Sequence, residues 1–211
     1  MSATQYAPEV SGLLRAKLLM PDIIRYHLDK QRGIRKINAQ IKLVFPKRRE
    51  NLMILLFLTA IGLAIGVARA YKYKSDKAVF YERLLLPVIF VSVGINGILF
   101  GFIPHVFFSD MIADKIGWSK GNPFQLEVGY HDGCWGVIGL LSAWFKGRFA
   151  LAAGIGWALF LLLAGWGHLR ETIVNHNYAP YNFQFIAGDI IPAILLFVLS
   201  YLYYKHSYKR G

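Results

Sequence analysis

Of 211 residues, 55% are hydrophobic, 15% aromatic and 17% charged, and the mean hydropathy is positive; this composition fits a membrane protein better than a soluble domain. The net charge of +12 would raise nucleic acid in a soluble chain, but 11 of the 24 Lys and Arg precede the first apolar run. A basic tail beside a membrane favours anionic lipid headgroups over nucleic acid, and the single Cys134 excludes an intrachain disulfide framework and any Cys-rich zinc or iron–sulfur site.

Residues 1–50 are expected to form a basic amphipathic interfacial segment, and residues 51–211 a transmembrane helical bundle. The first fifteen residues lack the charged-then-apolar pattern of a cleaved signal, so Met1 is expected to stay and the first span to direct insertion. Ile34, Ile37, Ile41 and Val44 recur at helical spacing among Arg35, Lys36, Gln40 and Lys42. That stripe suits a helix lying in the headgroup layer or one packed on the protein's own surface; Pro21 is placed to open an earlier helix through Ile23, Ile24 and Leu28.

Five runs then approach the roughly 20 apolar residues that cross a bilayer: Leu52 to Tyr71, Leu84 to Phe107, Phe124 to Phe145, Phe149 to His168 and Phe185 to Tyr204. The fold class expected is therefore all-α, an integral membrane bundle of about five helices. Only Lys146, Gly147 and Arg148 separate the third run from the fourth, which makes them an antiparallel hairpin. Aromatic residues at the ends, Tyr71, Trp118, Trp144, Tyr201, Tyr203 and Tyr204, fit the interfacial belt.

Connectivity brings the polar residues to one end of the bundle. The second run ends there with His105, the third begins there with Glu127 and His131, the fourth ends with His168 and Glu171, and the fifth begins near Asp189. Ionised side chains in hydrocarbon cost several kcal/mol unless they are paired or face a protein-lined cavity, which points to a site. Glu127, His131 and Cys134, at i, i+4 and i+7, fall on one helical stripe, and His168 with Glu171 forms an i, i+3 pair.

Three readings stay open. Glu127 and Asp189 can exchange protons or cations while His131 and His168 tune them, in a protein that binds or translocates a proton, a cation or a small molecule. Glu127, His131, His168 and Asp189 can instead ligate a metal, or His131 and His168 a haem, as an oxidoreductase would require; the spacing is not the Glu-x-x-His pattern of di-iron bundles. The cluster can also be structural, in an accessory subunit that pairs with other proteins or with itself. Gln125, Glu171 and Asn182 support any of these sites, Asn182 from the amide-rich loop Asn175 to Asn182 that caps the last two helices. Cys134 reads as a small packed residue, and the absence of a Walker loop, a Gly-x-Ser-x-Gly elbow and a Cys-x-x-Cys pair argues against a nucleotide-driven pump, a serine hydrolase or a dithiol enzyme.

Ile116-Gly117-Trp118, the run from Pro123 to Gly129 with its Phe-Gln-x-Glu element, Gly167-His168, Ala179-Pro180 and Gly188 to Pro192 together resemble a family of small multi-pass prokaryotic membrane proteins of unknown function. The resemblance covers about residues 112–204. It implies that a glutamate, a histidine near the end of the next span and an aspartate opening the last one recur, at Glu127, His168 and Asp189, and it implies no cofactor or activity. Before Asn182 stands Tyr181, where the family pattern has Gly.

Orientation divides the basic residues two ways. With the N-terminus in the cytoplasm, 14 lie inside (11 in the tail, with Lys115, Lys120 and Arg170) against 10 outside. The short loops alone give 10 against 3 in the opposite sense. Moving the charged tail outward is the harder step, so the N-terminus is expected inside.

Overall fold

The structure is a computed structural model and describes residues 54–208; the expectations for residues 1–50 lie outside them. Every described element is helical: α1 (Ile54–Ala70, continued by a tight turn at Tyr71–Tyr73), α2 (Lys77–Phe107), α3 (Ser109–Ile116), α4 (Phe124–Leu141), α5 (Arg148–Val174) and α6 (Pro180–Ser207). Four of them, α1, α2, α5 and α6, are long and apolar enough to cross a membrane. The remaining expected span forms as α4. Its 18 residues reach about 27 Å at 1.5 Å per residue, and its Gln125, Glu127, His131 and Asp132 keep it from being as continuously apolar as the other four.

Local chemistry sets the helix ends. Asp76 caps α2, its Oδ1 accepting from the amides of Ala78 at 3.1 Å and Val79 at 3.2 Å. Gly117 ends α3 at a φ of +83°, and Gly147 makes the α4–α5 link at +64°. Pro180 stands at the first position of α6, where its missing amide is no loss.

Helix α2 is not uniform. From Ile89–Ile95 and again over Gly97–Phe102 it winds in wide π turns; the amide of Asn96 bonds the Val91 carbonyl and that of Ile103 the Ile98 carbonyl, each five residues back. Asn96, Gly101 and His105 thereby come to one side of the helix. Long π stretches are rare and recur at functional sites.

The core gathers Leu85, Val88 and Ile89 of α2, Trp157, Ala158 and Leu161 of α5, and Ala193, Leu196 and Tyr203 of α6. Surrounding lipid is as apolar as these residues, so close fit rather than water exclusion holds such helices together. The α2–α4 seam shows it: Gln125, Gly129, Asp132, Gly136 and Gly139, at i, i+4, i+7, i+11 and i+14, form the buried stripe of α4. A Cβ on Gly139 would stand 2.5 Å from the Gly94 amide nitrogen, so only glycine permits this approach. Helix α4 meets α5 over a narrow patch instead, through the Trp135 ring lying on Gly156 and the His131 ring against Trp157 and Phe160.

Candidate functional site

A cleft of about 520 Å³ occupies the end of the bundle where α1, α4 and α6 begin and α2 and α5 finish. Its polar wall holds His105 of α2, Asp132 of α4, His168 and Glu171 of α5, and Asp189 of α6; Arg170 stands at its rim, exposed. The remaining lining is mostly apolar and aromatic, with Phe100, Trp118, Phe124, Trp157, Phe160 and Phe185.

His168 is the most firmly held of these groups. Its Nδ1 lies 2.8 Å from Asn182 Oδ1, while Asn182 Nδ2 donates to Thr172 Oγ1 at 2.9 Å and to the Asn177 carbonyl at 2.8 Å, with the His168 carbonyl at 3.3 Å. The Nδ2 partners are acceptors, which fixes the amide's orientation and therefore assigns the imidazole proton to Nδ1. Nε2 is left facing Asp189, whose Oδ2 is 4.0 Å away. Among the described residues this histidine is the only ion-pair partner of Asp189, which is 7% exposed. Trp118 stacks on the imidazole with ring centroids 6.2 Å apart.

The loop before α6 belongs to the same network. Asn177 donates to the Ile116 carbonyl at 2.9 Å and accepts from the Ala179 amide at 3.1 Å, tying the ends of α3 and α5 to the start of α6. Lys115 reaches over the Tyr181 ring and donates to its hydroxyl at 3.2 Å.

Asp132 supplies a second buried carboxylate, 8% exposed, within electrostatic reach of Asp189. It packs on Gly101, where a Cβ would meet Asp132 Oδ2 at 2.5 Å, and its Oδ1 lies 3.2 Å from Nδ1 of the neighbouring His131. That histidine sits between the helices, 4.1 Å from the Phe160 ring centroid and stacked on Trp157. His105 Nδ1 lies 2.6 Å from Gln125 Oε1; Gln125 is fully buried, and its Nε2 has no partner among the described residues.

The residues singled out in the sequence therefore divide. His168, Glu171 and Asp189 line the cleft with His105, and Asn182 and Gln125 hold two of the imidazoles. Glu127 and Cys134 are exposed on α4, outside the cleft lining, and His131 stands behind that lining, bonded to Asp132 and packed on Trp157 and Phe160. The stripe Glu127–His131–Cys134 is thus not the inward face of α4. Asp132 was missed, although it shares the periodicity of Gln125, Gly129, Gly136 and Gly139. Among the described residues no three His, Cys, Asp or Glu side chains come together as a set able to hold a metal ion, so Glu127, His131, His168 and Asp189 do not gather as ligands.

These features define a multi-pass helical membrane protein with a polar-walled cleft at one end of its bundle. The chain belongs to the family of unknown function DUF6790, whose sequence profile matches residues 50–209. The match extends the resemblance seen from residue 112 onward back to the start of α1, and it begins where the basic N-terminal segment ends. No curated protein and no solved structure matches the chain.

Proposed function

We propose that the protein is a proton-exchanging binding protein of the membrane, in which a small molecule enters the cleft and Asp189 and His168 change protonation around it. The observation that carries this is the His168–Asp189 pair. With its proton fixed on Nδ1, the neutral imidazole offers Nε2 as an acceptor toward a buried carboxyl. Such a pair holds one proton in either of two places, as neutral acid and base or as carboxylate and imidazolium, and titrates as a unit. Asp132 is a second buried carboxylate lining the same cleft, so a positive group arriving there competes with the bound proton.

The volume supports a small molecule as the occupant, since it lies within the range of ligand pockets and exceeds what a bare ion needs. The dispersed donors disfavour the metal-dependent oxidoreductase reading. With the basic tail kept in the cytoplasm, this end of the bundle faces the cytoplasm. Infrared difference spectra of the purified protein between about pH 5 and pH 9 test the proposal. A protonated-carboxyl band should titrate, vanish or shrink in Asp189→Asn, shift in Asp132→Asn and stay unchanged in Glu127→Gln. An identical titrating band in folded Asp189→Asn and wild-type protein refutes it.

A further inference from the structure

The cleft's shape and chemistry narrow what it takes. Its charged groups are unequal: Asp132, Asp189 and Glu171 are acidic, His168 faces Asp189, His105 is bonded to Gln125, and among the described residues the lining brings one Lys or Arg, Arg170 at the rim. Lys115, on α3, is engaged over Tyr181. His131 stands behind Asp132, and Ile54 and Leu55 of α1 bring no charge. The two buried carboxylates lie among aromatic faces, and an electron-rich ring face attracts a cation most when water is excluded. The cleft also reaches the flank of the bundle, since Leu163 and Phe100, which line it, are 71% and 42% exposed and belong to the spans α5 and α2. A molecule dissolved in the bilayer can therefore reach it.

From these observations we infer that the ligand is a lipophilic organic cation, an aromatic or branched apolar body carrying one positive charge that takes the place of the displaced proton beside the Asp132–Asp189 pair. This rests on the proton-exchange reading in using the same carboxylates, and it adds the chemical class. A metal cation would need converging oxygen or nitrogen donors, which the described residues do not bring together. An organic cation needs none, because it exchanges its weak hydration for ring faces and two carboxylates. An anion of equal shape meets those carboxylates unscreened and is rejected.

Tetraphenylphosphonium and tetraphenylborate share a body and differ in charge, which makes them the probes. Purified full-length protein is titrated with each while tryptophan fluorescence is followed, since Trp118 and Trp157 line the cleft. The phosphonium should quench saturably and the borate should not. Phosphonium affinity should rise up to about tenfold per pH unit across the range where one proton is displaced. It should fall at least about tenfold in Asp189→Asn, with that pH dependence lost, and in Asp132→Asn. Equal binding of the two ions, or phosphonium binding untouched by both substitutions, overturns the inference. A titrating carboxyl band without phosphonium binding defeats the ligand class alone. Selective phosphonium binding beside a carboxyl band that does not titrate defeats the proton exchange alone and upholds the ligand class.

Discussion

Asn182→Ala removes the residue on which the His168 assignment turns. Three hydrogen bonds of 2.8–2.9 Å are lost, from His168 Nδ1 and to Thr172 Oγ1 and the Asn177 carbonyl, at a position with no exposure. Each contributes about 0.6–1 kcal/mol, the lower figure being the average among transmembrane helices. Buried groups left without a partner add to that, so the loss should be about 2–3 kcal/mol. For a bundle of this size the midpoint of thermal unfolding in detergent should drop about 4–12 °C, compared at one scan rate. The imidazole should change too, because without Asn182 nothing reserves Nδ1 for the proton, and nitrogen NMR of His168 should report a mixture of tautomers. A midpoint within about 1 °C of wild type together with a proton still on Nδ1 would refute the network argument.

Two further outcomes test the seam and the course of α4. Gly139→Ala places a methyl 2.5 Å from the Gly94 nitrogen and 2.8 Å from its Cα, and backbone cannot rotate away, so it should destabilise by about 1–3 kcal/mol; Gly167→Ala meets nothing within 4 Å and should be neutral or stabilising by up to about 1 kcal/mol in the same melt. Cys134, exposed about 15 Å along α4, should be shielded by lipid if α4 crosses the bilayer, so a charged maleimide should label it in detergent but not in sealed vesicles from either side; labelling at equal rates in both would place α4 at the membrane surface.

Hydropathy made the spans legible, and alternation of the chain across the bilayer made the site's end legible, because both depend on composition over many residues. His168, Asp189, Glu171 and His105 could be brought together on that ground alone. Facing on α4 could not. The rule that ionisable groups turn inward fails for Glu127 because it stands in the first turn, where a side chain reaches the interface without crossing hydrocarbon. The better guide was steric: the glycine spacing marks where α2 approaches, and Asp132 lies on that stripe. The wide turns of α2 were only hinted at in the sequence. Pro87 stands just before Ile89–Ile95 and Asn96 between that stretch and Gly97–Phe102, but neither fixes the kind of turn, and the winding that brings Asn96, Gly101 and His105 to one side depends on what packs around it.

The glycine seam between α2 and α4 also sets where the cleft can yield. At Gly94, Gly97, Gly136 and Gly139 backbone meets backbone, so joining the two helices there freezes almost no side-chain rotamers. Across the cleft, α4 and α5 touch through the rings of His131, Trp135, Trp157 and Phe160, each of which must hold one orientation to keep contact. Thermal motion therefore works against the aromatic latch and hardly at all against the glycine seam. The cleft thus has one wall, α2 with α4, whose assembly orders few side chains, and one contact, α4 against α5, that is kept only while four rings stay ordered.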